Sequence, residues 1–282
     1  MHELPSPDRF HRTPAALAGA CVLLIATAAL ASLTAGCKSG LGDDPILRLS
    51  AAEALTEGKT LMADEKYARA RRYLSHAFEV EPNSLSGREA LLLLADSYFF
   101  DGGSVNFVQA EAKYRDFLNR FPTSDQSAYA QYQVANSLAG RMEKPDRDQR
   151  ATDSALAAYR ELIRLYPTSE YVAEARAKIG EVRQRLAEHE YVVGHFYLRR
   201  GLAVAAIDRF SDMLEAFPDY DERDEVLCGL AVAYLRSRNP EHLGKAIEVV
   251  ERLRREHPDS ECVRELPPAI LDGAAAGGDG EE

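Results

Sequence analysis

The sequence predicts an all-α protein of about five stacked helical hairpins. Three observations lead there. Apolar residues recur at helical spacing, as in Ala155, Tyr159, Leu162, Ile163 and Tyr166, whose offsets of 0, 4, 7, 8 and 11 draw one stripe on a helix. Alternating Val/Ile/Thr runs of strand type are missing, while Ala, Leu, Glu and Arg abound. Five helix-ending prolines punctuate the chain at Glu81-Pro82, Phe121-Pro122, Tyr166-Pro167, Phe217-Pro218 and His257-Pro258, spaced by 40, 45, 51 and 40 residues. Proline lacks an N–H donor and pushes the preceding residue out of helical geometry, so each pair stops a helix.

The chain begins with a leader. Arg9 and Arg12 precede a nearly apolar run from Ala15 to Leu33, followed by small residues and Cys37. A basic start, a short apolar core and a small-residue end read as a secretory signal peptide over 1–36. The alternative, a retained membrane helix, is at the lower limit of length. Leu33-Thr34-Ala35-Gly36-Cys37 resembles the bacterial lipobox, with Thr34 where leucine is usual. The resemblance implies cleavage before Cys37 and lipidation of that residue. Several acyl chains would make the attachment effectively permanent. Lys38 after the cysteine, rather than Asp, implies delivery to the outer membrane. Loss of 1–36 removes Glu3, Asp8, Arg9 and Arg12, which cancel, so the mature chain keeps the net charge of −11. Residues 37–45 then form a lipidated tether.

Residues 46–170 are expected to hold hairpins one to three, and 171–265 hairpins four and five. An alanine stands 12 residues before every proline: Ala70, Ala110, Ala155, Ala206 and Ala246. Larger apolar residues follow, Leu74, Tyr114, Tyr159 and Phe210 eight before the proline and Val249 nine before. Gly58 and Gly194 stand 24 before theirs. This pattern resembles the tetratricopeptide repeat, a helical hairpin that stacks into a solenoid. The alanine lets the second helix approach the first, and the larger residue fills the groove between neighbours. Asp101-Gly102-Gly103-Ser104 lengthens the second hairpin, and 140–152 adds a charged loop to the third. Thr168 or Ser169 is expected to cap a helix that reads on from Tyr171 through Tyr197 without a proline, long enough to bridge two halves. Residues 266–282, rich in Pro, Gly and Ala with an acidic end, read as a disordered tail.

Signals for chemistry are few. His189-Glu190 followed by His195 has a spacing of six, which puts the imidazoles on different helical faces, unlike the i, i+4 pair of a zinc protease. No metal, cofactor or catalytic set is predicted, and the chain is read as a non-enzyme. The charge of −11 argues against nucleic acid as a partner. Cys228 is read as a small core residue; a bond to Cys262 would need an oxidising compartment, and a repeat core does not require it. What remains is a binding surface. In such stacks the first helices line a concave groove, which here places Leu55, Lys59 and Met62, then Leu92, Asp96 and Phe99, then Tyr129, Tyr132 and Asn136 along it. Apolar and aromatic groups with a few polar partners suit an extended peptide.

The run from Ala110 to Leu235 is more specific. YRDFLNRFPTSDQSAYAQYQVANSLA, the charged loop, YRELIRLYPTSEYVAEA, LAEHEYVVGHFYLRRGLAVAAIDRF and the following FPDY together resemble the BamD family of outer-membrane β-barrel assembly lipoproteins. The resemblance implies a non-enzymatic scaffold, lipid-anchored on the periplasmic face of the outer membrane. Its N-terminal repeats would meet unfolded outer-membrane proteins, and its C-terminal repeats would hold the POTRA domain of a BamA-like barrel protein. Arg209, in AAIDRF, is the residue the resemblance assigns to the BamA contact; an ion pair within its own helix, to Asp208 or Asp212, is the alternative. Another repeat lipoprotein of the cell envelope, such as a pilotin or a coordination scaffold, is the competing function.

Overall fold

The computed structural model describes residues 44–266. The leader, Cys37 and most of the tether, and the tail beyond Leu266 lie outside the described residues. After a 3-10 turn at Pro45–Arg48 come ten helices in five antiparallel pairs: α1 (Ala51–Ala63) and α2 (Tyr67–Val80), α3 (Leu85–Asp101) and α4 (Ser104–Arg120), α5 (Ser127–Ala139) and α6 (Arg150–Leu165), α7 (Tyr171–Arg199) and α8 (Ala203–Ala216), α9 (Arg223–Arg236) and α10 (Glu241–Glu256). A short α11 (Cys262–Glu265) is the last described element. No strand occurs among the described residues. Each helix packs on its chain neighbours, and α1 on α3, α5 on α7 and α7 on α9 as successive first helices. This is the tetratricopeptide-repeat solenoid.

The proline punctuation works as its chemistry requires. Glu81, Phe121, Tyr166, Phe217 and His257 end their helices with φ between −138° and −126° and ψ between 56° and 68°. Each still donates its N–H to the carbonyl four residues back. Its own carbonyl then accepts from the residue three ahead, in Ser84, Ser124, Ser169, Tyr220 and Ser260, at 3.0–3.2 Å. One turn, with proline at its second position, therefore reverses the chain five times. At α7 the predicted cap is only half realised. Glu170 occupies the cap position with helical dihedrals, and Ser169 Oγ accepts from Tyr171 N at 3.3 Å.

All five alanines of the repeat frame have zero exposure. So do Leu74, Tyr114, Tyr159 and Phe210. In the fifth hairpin the register corrects the sequence reading: Val250, eight before Pro258, is fully buried, whereas Val249 only packs at the edge of the core. The glycines show why the larger residue fits. A Cβ on Gly58 would stand 2.6 Å from Leu74 Cδ2, and one on Gly194 2.5 Å from the Phe210 ring. Gly229, in the next first helix, makes a second opening against the same ring, at 2.8 Å. Phe210 thus lies between two helices that both lack a side chain at the point of contact.

Buried residues form three clusters in chain order. Helix α7 enters two of them, through Ala175 and Val182 in the middle cluster and Ala187 and Leu198 in the last. The charged loop of the third hairpin is ordered by its own end. Gln149 Nε2 donates to the carbonyls of Lys144 and Arg147, and its Oε1 accepts from Thr152. His189, on α7, hydrogen-bonds the Pro145 carbonyl and so straps the loop. Cys228, for which the sequence left a bond to Cys262 open, packs against the last cluster. It is joined to Cys262, with Cα atoms 6.1 Å apart, because α11 folds back against α9 and α10 and brings the two sulfurs together.

Candidate functional site

The first helices carry the predicted groove residues, but packing divides them. Leu55 and Leu92 are 6% and 4% exposed and belong to the core, so they are corrected from groove lining to seam between helices. Helix α1 packs on α2 and α3, and α3 on α2, α4 and α1, so a leucine on those sides is enclosed between helices. Met62 packs against the first cluster. Lys59 is exposed and pairs with Glu89 of α3 at 2.6 Å. Phe99 is half-buried, with Phe100 and Phe107 ring centroids 5.5 and 5.6 Å away.

Asp96, Tyr129, Tyr132 and Asn136 are brought together. Asp96 is 6% exposed, and its Oδ1 accepts from both Tyr114 Oη at 2.6 Å and Tyr129 Oη at 2.8 Å. Tyr129 Oη in turn accepts from Gln133 Nε2 at 3.0 Å. Gln133 Oε1 accepts from Asn136 Nδ2 at 2.8 Å, and Asn136 Oδ1 accepts from Tyr159 Oη at 2.6 Å. Every donor from Tyr159 onward therefore points towards Asp96. Such a chain is cooperative, and it satisfies polar groups that would be costly to bury alone. Beside it Tyr132 stacks on Tyr171 of α7, with centroids 5.1 Å apart and an interplanar angle of 15°, and Tyr129 lies 5.8 Å from the same ring.

Burial sets the electrostatics. It pushes the Asp96 carboxyl up to about 6, against the opposing pull of the Tyr114 and Tyr129 hydroxyls. It likewise raises the phenols of Tyr114, Tyr129 and Tyr159, and carries Tyr132 up to about 12 with Glu174 nearby. The tyrosines remain neutral donors, and Asp96 is a buried acceptor rather than a solvated charge. The arrangement offers aromatic faces with amide and hydroxyl edges, suited to apolar side chains and backbone amides of an extended chain.

Sequence reasoning missed Tyr114, Gln133, Tyr159 and Tyr171. A signal for two of them was present. Tyr114 and Tyr159 occupy the frame position filled elsewhere by Leu74, Phe210 and Val250, and a hydroxyl at a core position needs a partner.

Arg209 faces neither Asp208 nor Asp212. Its Nη1 meets Glu190 Oε2 of α7 at 3.0 Å, with the guanidinium side chain 45% exposed. The helix turns Asp208 to another side, and Glu190 reaches Arg209 from across the hairpin. Among the described residues no group of three or more His, Cys, Asp or Glu could hold a metal ion, and no helix is long and apolar enough to cross a membrane.

The sequence profile of the YfiO family, described as outer membrane lipoprotein, matches residues 48–238. The outer membrane protein assembly factor BamD of Haemophilus influenzae is 29% identical over 220 residues, covering 74% of this chain and 82% of that one. BamD of Rickettsia prowazekii is 27% identical, with coverages of 76% and 83%. BamD of Caulobacter vibrioides is 31% identical over 163 residues, or 58% of this chain and 52% of that one. Among solved structures, the TPR2AB domain of yeast Sti1 aligns at 12% identity with a TM-score of 0.41, covering 76% of this chain and 80% of that one.

Proposed function

The chain belongs to the YfiO family of outer membrane lipoproteins, and on that premise we propose that it is a scaffold for outer-membrane protein assembly, anchored through lipid on Cys37 at the periplasmic face. Hairpins one to three receive unfolded outer-membrane proteins, and hairpins four and five hold a BamA-like barrel protein by its POTRA domain. The observation that carries the reading is the aromatic and amide face of α3, α5 and the start of α7. Tyr129 and Tyr171, both half-buried, present their rings there, while Tyr132, almost fully buried, stacks on Tyr171, and Asp96 and Gln133 hold the Tyr129 hydroxyl. A preordered surface of this kind binds extended peptide with little ordering cost. Phe99, Tyr129 and Asn136 are the groove residues that stay in this reading, with Lys59 at its first-hairpin end; Tyr132, 6% exposed, supports the face by stacking on Tyr171. For the barrel contact, Arg209 exchanges Glu190 for a carboxylate of the partner. Its pairing with Glu190 is half-exposed and therefore worth little to the fold.

Capture from detergent-solubilised envelope tests both halves at once. Arg209→Ala is expected to weaken barrel-protein capture by on the order of 2–5 kcal/mol, because it leaves a partner carboxylate desolvated and unpaired. Arg209→Lys should restore only part of it, since an ammonium lacks the two-pronged geometry of guanidinium. Tyr132→Ala should instead spare barrel-protein capture and reduce crosslinking to unfolded outer-membrane protein. Full capture by Arg209→Ala with unchanged helicity removes the contact from Arg209. For the anchor, Cys37→Ala should abolish labelling by a palmitate analogue; labelling that persists refutes lipidation at Cys37.

A further inference from the structure

The short helix α11 has no part in the reading above, yet the last described residues are built around it. Four residues do not hold a helix in water by themselves, so α11 is held from outside. Cys262 and Leu266 are each 4% exposed within the last cluster, and Val263 packs against the same cluster. Ser260 Oγ donates to Asp224 Oδ2 at 2.7 Å. The disulfide joins Cys262 to Cys228 across 34 residues of chain. Asp224 and Cys228 both lie on α9, the first helix of the last hairpin. Among the described residues no further hairpin covers the outer face of that one. Here α11 and Leu266 cover part of it, and the covalent bond fastens them.

We propose that Cys228 and Cys262 form an oxidation-dependent latch that seals the end of the solenoid, and that the chain is a substrate of a protein dithiol–disulfide oxidoreductase. The thiolate of Cys262, reached while the end is undocked, attacks a disulfide sulfur of the oxidant. A mixed disulfide forms, and one oxidant cysteine leaves as thiolate. Docking of Val263 and Leu266 onto the last cluster carries the mixed disulfide to α9. The Cys228 thiolate attacks the Cys262 sulfur, the bond within the chain forms, and the second oxidant cysteine leaves. Two thiols lose two protons and two electrons, and the oxidant's disulfide becomes a dithiol. Before this step Val263, Leu266 and the Ser260–Asp224 hydrogen bond hold the cap, and the segment must be ordered from coil. Afterwards undocking is restricted by a closed loop. The inference stands apart from the partner assignments above, since it concerns only the closing of the last hairpin.

The test uses the full chain isolated from the envelope under acid quench. Alkylation and peptide mapping should find Cys228 and Cys262 unmodified and linked. In cells stripped of envelope thiol-oxidising activity both should be alkylated. Reduction of the purified chain, or Cys262→Ser, should speed amide exchange over 260–266 at least tenfold and leave 127–139 unchanged. Those middle residues report that the rest remains folded. Alkylation of both cysteines in the untreated chain overturns the latch, as does reduction without any change in exchange. A linked pair in the oxidase-deficient cells overturns the oxidoreductase as partner.

Discussion

Replacing Phe210 with alanine is expected to lower the stability of the last two hairpins by about 3–5 kcal/mol, the range for truncating a buried phenylalanine. The ring has zero exposure. Gly194 and Gly229 meet it with backbone alone, so at those two contacts no side chain is available to move in, and Tyr191 and His195 are the rings packed beside it. The converse change is informative. Gly194→Ala places a methyl within 2.5 Å of the ring, and Gly229→Ala one within 2.8 Å. Each should cost about 1–3 kcal/mol by overpacking. Combining Phe210→Leu with Gly194→Ala should recover part of the loss, because the smaller side chain leaves room for the methyl. Denaturant unfolding of each variant checks these values. A Phe210→Ala protein with an unchanged midpoint would sink the account of how hairpins four and five are joined.

Asp96→Asn is expected to change how stability depends on pH. In the folded chain burial lifts the carboxyl from its ordinary 3.8 to about 6, which corresponds to on the order of 3 kcal/mol. The sign follows from proton binding. The folded state holds the proton more tightly, so this group's contribution is fully present below about pH 4 and is lost as pH rises through about 6. Asparagine keeps an acceptor oxygen for Tyr114 and Tyr129 and does not titrate. The stability of Asp96→Asn relative to the parent should therefore rise by on the order of 3 kcal/mol between pH 4 and pH 7.5. Urea unfolding at several pH values measures the difference. A difference flat across that interval would mean that Asp96 is hydrated, and the donor chain leading to it would lose its terminus.

These two sites also show what could be read from the residues and what could not. The hairpins were legible because proline acts locally: it ends a helix whatever surrounds it, and five prolines at nearly regular spacing give the stack. The long α7 was legible for the same reason, through the missing proline after Tyr171. The buried alanines followed from their fixed distance to the prolines. Gly229 was not legible as a partner of Phe210, because it belongs to the next hairpin and follows no repeat position shared by the others. Asp96 read as a charged groove residue, since nothing local to it announces two tyrosines, one 18 and one 33 residues downstream. Leu55 and Leu92 were placed on the wrong side of their helices, because a first helix in a stack is apolar on more than one face. The partner of Arg209 lies 19 residues upstream on α7, beyond the reach of an argument from helical neighbours.

Helix α7 has a consequence for how this chain tolerates changes in length. It runs 29 residues, roughly 43 Å at 1.5 Å per residue, with one core on its first half and another on its second. A residue inserted into the 140–149 loop only lengthens a strap. A residue deleted between Val182 and Ala187 would turn everything downstream by about 100° about the helix axis and draw it back about 1.5 Å. The two cores would then stand out of phase, with no hinge to absorb the error. Gene variants that gain or lose codons should survive at the loops and be purged along this helix, so its length is fixed by screw symmetry rather than by any contact that a single residue makes.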